Sequence, residues 1–154
     1  MAFDFSKMLS EERIIDLKGQ TKTAVLKEMV AALATSPHVK NSDELLKAVL
    51  EREKIVSTGI GIGIAVPHVK ISSVDDFVVA IGRSHQGVEF DALDGQPVHI
   101  IVMIAASDKQ ASDYLKVMAR FMLALKQKDF RREILLLKTP EEIKNAFLER
   151  LQAH

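Results

Sequence analysis

The stretch Val98-His99-Ile100-Ile101-Val102-Met103-Ile104-Ala105 decides the fold, because it is an almost continuous run of apolar side chains. A second run of this kind, Phe77–Gly82, lies upstream. Short continuous apolar runs are typical of strands that are buried on both faces, since a half-exposed strand would alternate apolar and polar residues. The two runs therefore predict central strands of a sheet that other elements cover on both sides.

Segments with helical spacing lie before and after these runs. Four helices are predicted, beginning after Thr21, after Ser42, at about Gln110 and after Thr139. The last has the clearest start, because Thr139-Pro140-Glu141-Glu142 combines a cap, a first-turn proline and a capping-box glutamate. A short apolar run, Arg13–Leu17, predicts a first strand. This alternation predicts an α/β fold, with a single mixed β-sheet flanked by α-helices.

Composition limits the classes of function. The chain has 154 residues, of which 47% are hydrophobic, and 21 basic residues balance 21 acidic ones. A balanced chain has no general attraction to nucleic acid or to an anionic membrane. The lack of cysteine excludes disulfides, thiolate metal sites and cysteine nucleophiles. With no signal-peptide pattern in Met1–Ser10 and no run of about 20 apolar residues, we expect a cytoplasmic protein.

Five histidines are candidates for chemistry: His38, His68, His85, His99 and His154. His99 lies inside a predicted strand, where a structural role is expected, and His85 lies in the polar run Arg83–Gly87, which is predicted to be a loop. His38 follows a helix end, and His154 is the last residue. No pair has the helical spacing of metal ligands, so neither a metal site nor a cofactor is predicted.

His68 differs from the others in the segment that precedes it, Ser57–His68. Alternate positions there are glycines, whose backbone N–H groups can approach a phosphate and form an anion-binding nest: Gly59, Gly61 and Gly63. Pro67 restricts how the imidazole is presented. Upstream, the guanidinium of Arg52 can hold two phosphoryl oxygens at once. These residues indicate a histidine that carries a phosphoryl group.

A purely structural interpretation of the same residues remains open at this point. The isoleucines of Ser57–His68 alternate with small residues, so the segment also fits a strand with one apolar face. Arg52 also fits a solvated helix charge. Nucleotide binding is excluded, because the glycines do not form GxGxxG and no Walker Lys-Ser/Thr follows them.

Several motifs together resemble a known family. They are Glu51-Arg52-Glu53, Ser57-Thr58-Gly59-Ile60-Gly61, Gly63-Ile64-Ala65-Val66-Pro67-His68 and Phe90-Asp91-Ala92-Leu93-Asp94-Gly95-Gln96-Pro97-Val98. The combination resembles an enzyme IIA domain of the fructose/mannitol/nitrogen-regulatory branch of the bacterial phosphoenolpyruvate-dependent phosphotransferase system. The resemblance extends over nearly the whole chain, so residues 1–154 are expected to form a single domain of this type.

The resemblance implies a function and a set of site residues. His68 is expected to accept a phosphoryl group from the phosphocarrier protein HPr, or from a nitrogen-branch counterpart, and Arg52 to help hold it. The phosphoryl-binding residues are expected to be Thr58, Gly59, Gly61, Gly63 and Tyr114. Sugar-pathway members pass the group to a IIB domain, whereas nitrogen-branch members regulate a target protein. The absence of a fused IIB or membrane region favours the regulatory branch, with no nucleic-acid partner and no membrane insertion.

Three positions depart from the family's usual pattern. Ile62 stands where asparagine is usual, Val69 where glycine usually follows the histidine, and Tyr114 where many members have a second histidine. A tyrosine, with a pKa of about 10, is a poor proton shuttle near neutral pH. Two main hypotheses follow: a competent phosphocarrier, or a IIA-like binding module with little or no onward transfer. A metal-dependent hydrolase using His68 is the third.

Overall fold

The computed structural model describes residues 3–55 and 57–152. Its strands are β1 (Ile14–Asp16), β2 (Gly59–Gly61), β3 (Ile64–Ala65), β4 (His68–Lys70), β5 (Val78–Val88) and β6 (Val98–Ala106). Its helices are α1 (Phe5–Met8), α2 (Lys22–Leu33), α3 (Ser42–Ile55), α4 (Ala111–Leu125), α5 (Lys128–Leu136) and α6 (Pro140–Gln152), with a 3-10 turn at Glu11–Arg13. The strands form one six-stranded sheet in the order β1-β5-β6-β3-β2, and β4 also pairs with β6. The predicted α/β class with one mixed sheet is confirmed.

Strand β6 is the centre of the sheet and of the core. All of its residues are buried except His99, which is partly exposed. Alternate side chains point to opposite faces, so Ile100, Val102 and Ile104 pack on the side of α4, α5 and α6. Ile101 and Met103 pack on the side of α2 and α3. This burial on both faces is the arrangement that the continuous apolar run predicts.

On one side of β6, two short strands follow each other in the same register. Ile64 of β3 pairs in parallel with Ile100, and His68 of β4 pairs in parallel with Ile104. Pro67 lies between them and cannot donate a ladder hydrogen bond, although its carbonyl accepts the N–H of Ile104 at 3.0 Å. Strand β2 pairs with β3 and not with β4. His68 therefore begins a strand at the open edge of the described sheet.

The helix starts are mostly those that the sequence predicts. Thr21 caps α2 by accepting the N–H of Ala24 at 3.2 Å. Thr139 and Glu142 form the predicted capping box at α6, with each side chain accepting the other's backbone N–H. Helix α3 is capped one residue earlier than predicted. The side chain of Asn41, not that of Ser42, accepts the N–H of Glu44 at 3.0 Å.

Two polar segments have a structure that differs from the prediction: Arg83–Gly87 and the segment that forms α5. The predicted loop Arg83–Gly87 is wrong, because these residues lie within β5, which resumes its pairing at Val88 after an irregularity. Arg83 is only 5% exposed there, since its guanidinium bonds to Asp16 and to two carbonyls at the end of α5.

Helix α5 itself was not predicted. Of its four apolar residues only Phe130 and Ile134 are buried, whereas Leu136 is 77% exposed.

No helix among the described residues combines the length and the apolar character that a membrane crossing requires.

Candidate functional site

His68 lies half-buried at the start of β4, on the wall of an open pocket of about 470 Å³. Helix α3, strand β4 and helix α4 supply the lining. Its residues are Ala48, Glu51, Arg52, Ile55, His68, Val69, Lys70, Ile71 and Tyr114. The pocket thus contains one imidazole, two basic side chains and one phenol.

A hydrogen bond to the backbone fixes the imidazole of His68. Its Nδ1 lies 2.7 Å from the carbonyl oxygen of Val66. A carbonyl only accepts, so Nδ1 carries the proton and donates it. The other ring nitrogen, Nε2, then keeps its lone pair. The N–H of Val66 donates to Thr58 at the same edge of the sheet, so the backbone on both sides of Pro67 is held in place.

The surroundings of His68 favour its neutral form. Burial lowers the pKa of the imidazole below its usual value of 6.5, and the nearby Arg52 lowers it further. The hydrogen bond to Val66 and the charge of Glu53 oppose this shift, but the net direction is downward. A neutral imidazole with a fixed Nδ1 proton is a nucleophile at Nε2 at neutral pH.

Arg52 and Tyr114 line this pocket together with His68. Arg52, in the last turn of α3, is half-buried and takes part in none of the side-chain hydrogen bonds or ion pairs found within residues 3–55 and 57–152. The ring of Tyr114, which is 5% exposed, has its centroid 5.8 Å from that of His68. Burial raises the pKa of Tyr114 well above its usual value, so the phenol stays neutral. Tyr114 thus both packs in the core and faces the site.

The glycine-rich segment forms a tight hairpin turn, and this turn binds a carboxylate from another part of the same chain. Gly61, Ile62 and Gly63 have positive φ angles of 94°, 53° and 79°. The N–H of Ile62 donates to a carboxylate oxygen of Asp94 at 3.0 Å, and the other oxygen accepts the N–H of Gln96. These bonds lower the pKa of Asp94. The turn therefore presents an amide to an anion, but the amide is that of Ile62 and not of a predicted glycine, and the anion is Asp94.

The other predicted phosphoryl-binding residues also have partners outside the pocket. A Cβ on Gly59 would lie 3.0 Å from Ala92, so this glycine permits close packing of the hairpin. Thr58 is buried, and both its N–H and its hydroxyl donate to the carboxylate of Glu53. Glu53 in turn pairs with Lys22 of α2 at 2.7 Å. This network ties the last turn of α3, which carries Arg52, to the hairpin.

The structure therefore brings together His68, Arg52 and Tyr114, and places Thr58, Gly59, Gly61 and Gly63 outside the pocket lining. It adds Lys70, which sequence reasoning missed. The available signal was the alternation of a strand, because residues two apart share a face. A strand at His68–Lys70 was not predicted.

The remaining histidines have structural contacts. His99 lies within β6 as predicted, with Nδ1 2.8 Å from the carbonyl oxygen of Ser84. His38 pairs with Asp75, and exposed His85 contacts the carbonyl of Leu135. His154 lies outside the described residues. Among the described residues, no three His, Asp or Glu side chains are grouped as metal ligands.

Comparison with known proteins supplies a family. Residues 7–150 match the family model described as phosphoenolpyruvate-dependent sugar phosphotransferase system, EIIA 2. The chain is 34% identical over 139 residues to a fructose-specific EIIABC component of Bacillus subtilis, covering 90% of this chain but 22% of that protein. It is 30% identical to a fructose-specific EIIA component of Haloferax volcanii, covering 84% of each. The crystal structure of nitrogen regulatory protein IIA-Ntr from Neisseria meningitidis superposes with a TM-score of 0.87 at 25% identity, covering 93% of this chain and 98% of that one.

The lowered pKa of His68 predicts a pH dependence of stability. Below about pH 6.5 the unfolded chain binds a proton at this histidine more readily than the folded chain does. The free energy of unfolding of the wild type should therefore fall, relative to that of His68→Gln, as the pH drops from 6.5 through the lowered native pKa. Urea unfolding of both proteins across this range measures the difference. If the free energy of unfolding of the wild type minus that of His68→Gln stays constant or grows as the pH falls, the pKa of His68 is not lowered in the folded protein.

Proposed function

Because the chain belongs to the EIIA 2 family of the phosphoenolpyruvate-dependent sugar phosphotransferase system, we propose that His68 is its phosphoryl acceptor. In this proposal, Nε2 takes a phosphoryl group from a phosphorylated carrier protein of the HPr type, or from its nitrogen-branch counterpart. The phosphohistidine then regulates a protein target or passes the group to a IIB domain. The observation that supports it best is the bond from Nδ1 to Val66, which leaves Nε2 free in a pocket beside Arg52.

The transfer needs no group beyond the two proteins. The Nε2 lone pair forms a bond to phosphorus while the phosphorus–nitrogen bond of the donor breaks, and the donor nitrogen keeps that electron pair. The Nδ1 proton stays on His68 and donates to Val66, which stabilises the positive charge that develops on the ring. Phosphoryl transfer depends mainly on positioning and on neutralising charge, and the fixed imidazole and Arg52 provide these.

We assign the predicted phosphoryl-binding residues to two groups. Arg52 and the neutral phenol of Tyr114 line the pocket with His68, so they are the proposed direct contacts. Thr58 and the glycines of the hairpin act through position instead. Thr58 anchors Glu53 next to Arg52, and the hairpin holds the backbone that leads to Val66.

The surroundings of the pocket support protein partners. Ile55, which is 81% exposed, lines the pocket, and Leu115, which is 67% exposed, follows Tyr114 on α4. Exposed apolar side chains beside an open pocket are typical of protein docking surfaces. The proposal covers residues 1–154 as one EIIA domain, acting in the cytoplasm where soluble carrier proteins are available, without nucleic acid.

The alternative, a binding module with little onward transfer, rests on Tyr114, Ile62 and Val69. Ile62 lies in the hairpin turn, outside the pocket lining, and Val69 lines the pocket but is only 7% exposed and packs into the core. The nucleophile is free and neutral, and the family comparison is to phosphotransfer proteins. These observations favour the phosphocarrier.

The direct test is phosphorylation from phosphoenolpyruvate through enzyme I and the cognate HPr-type carrier, followed by intact mass. We expect one acid-labile phosphoryl group on the wild type and none on His68→Gln. His85→Gln is the matched control, because His85 is exposed and lies outside the pocket, and it should be phosphorylated normally. A wild type that stays unmodified with its cognate donor would refute the proposal, as would a phosphorylated His68→Gln.

A substitution of Arg52 tests its proposed contact. Arg52→Ala should slow phosphorylation roughly tenfold or more, because a charge-assisted hydrogen bond contributes about 1.5–3 kcal/mol. Thermal unfolding should change little, since no partner of this side chain is lost among the described residues. The control is Arg132→Ala, an exposed arginine of α5. Equal transfer rates for the two variants would remove Arg52 from the site.

A further inference from the structure

Lys70 stands on the same side of β4 as His68. Residues two apart in a strand share a face, so both side chains are directed toward the pocket that they line. Val69, between them, also belongs to the pocket lining, but it is only 7% exposed and packs among the residues that contact α2 and α3. Strand β4 therefore places a second cationic side chain, that of Lys70, in the pocket, whereas Arg52 comes from α3.

The side chain of Lys70 is held by an aromatic ring. Its Nζ lies 5.4 Å from the centroid of the Tyr114 ring, over the face. Such contacts between a cation and a ring are attractive but weak when the cation is exposed. Tyr114 is almost completely buried, so its ring is a fixed surface, whereas Lys70 is exposed and flexible. Lys70 is absent from the ion pairs found in the described part of the chain.

We propose that Lys70 is a second phosphoryl-binding residue for His68, and that Tyr114 is its positioning residue. The inference rests on the proposed phosphorylation of His68. In the free protein the ammonium group rests on the Tyr114 ring, next to the imidazole. When the phosphoryl group arrives, the ammonium moves from the weakly attractive ring to the phosphoryl oxygens.

The charges around the pocket support this exchange. A phosphoryl group has a charge of roughly −1.5 to −2 at neutral pH, which exceeds what one guanidinium can neutralise. Glu51 also lines the pocket and Glu53 lies near His68, so two carboxylates oppose the incoming anion. Arg52 acts as a planar fork and Lys70 as a mobile point charge. Together they supply two positive charges from two different elements, α3 and β4.

The first test compares Lys70→Met with the matched control Lys27→Met, which removes an exposed lysine of α2 outside the pocket. Lys70→Met should slow phosphorylation of His68 roughly tenfold. It should also raise the pKa of the attached phosphoryl group, measured by phosphorus NMR, because a neighbouring cation favours the dianion. Lys70→Arg should restore most of both properties. A purely structural role for Lys70 would not move the phosphoryl pKa.

The second test concerns Tyr114. Tyr114→Phe keeps the ring and should keep the effect of Lys70 on the phosphoryl pKa, whereas Tyr114→Leu removes the ring and should weaken that effect. Both substitutions also remove the phenol that is a proposed phosphoryl contact, so Tyr114→Phe is the reference for Tyr114→Leu. In the background of Lys70→Met, Tyr114→Leu should differ little from Tyr114→Phe. Thermal unfolding identifies any Tyr114 variant that fails to fold. In that case the comparison of Lys70→Met with Lys27→Met still tests the role of Lys70.

The outcomes separate this inference from the proposed function. If His68 is phosphorylated but Lys70→Met matches Lys27→Met in both rate and phosphoryl pKa, the inference is overturned and the proposed function stands. If Tyr114→Leu and Tyr114→Phe differ as much in the background of Lys70→Met as they do with Lys70 present, Tyr114 does not position Lys70. If His68 of the wild type accepts no phosphoryl group at all, both fail.

Discussion

The shared pairing of β3 and β4 with β6 is the constraint on which the site depends. One register extends from Ile64 opposite Ile100 to His68 opposite Ile104, and Pro67 interrupts the ladder without shifting it. Because β2 covers only β3, the edge of the sheet opens at Val66, where a carbonyl becomes available to the imidazole. The central strand thus determines where His68 lies, and the exposed edge determines which nitrogen is free.

The carboxylates near the hairpin and the proposed phosphoryl group on His68 lie in two separate places in this molecule. At the hairpin, the carboxylate of Asp94 accepts the N–H of Ile62, and that of Glu53 accepts the N–H and the hydroxyl of Thr58. These carboxylates belong to the scaffold, and they offset the backbone strain of a β-branched residue, Ile62, at positive φ, which costs about 1–3 kcal/mol. An incoming phosphoryl group meets a different environment, in which Arg52 and Lys70 face the pocket and lack carboxylate partners among the described residues.

Apolar runs and helical spacing in the sequence were enough to predict β1, the first part of β5, β6 and most of the helices, but not β4. The apolar run of β6 and the capping box at Thr139 depend on local chemistry, which a sequence displays directly. The polar residues of β5 were misassigned to a loop, because Arg83 is buried through bonds to α5, more than 50 residues along the chain. Tertiary contacts of this kind leave no local pattern.

The site was predictable to a similar extent. His68 and Arg52 were predicted as site residues because their residue types suit phosphoryl transfer and stand in a motif that resembles a family, and the structure places both in one pocket. The glycine segment around Gly61 was predicted to bind a phosphoryl group, but the anion there is Asp94, which lies 32 residues from Ile62 in sequence and is brought there only by the fold. Lys70 was missed because its role depends on the strand at His68–Lys70 and on the position of Tyr114.

The central claim is that the bond from Nδ1 to Val66 directs chemistry to Nε2 of His68. Nitrogen NMR of the phosphorylated protein, labelled in its histidines, tests this most directly, since coupling to phosphorus identifies the modified ring nitrogen. The account predicts phosphorylation at Nε2 with Nδ1 still protonated. Phosphorylation at Nδ1 of His68, or at another histidine, would contradict it.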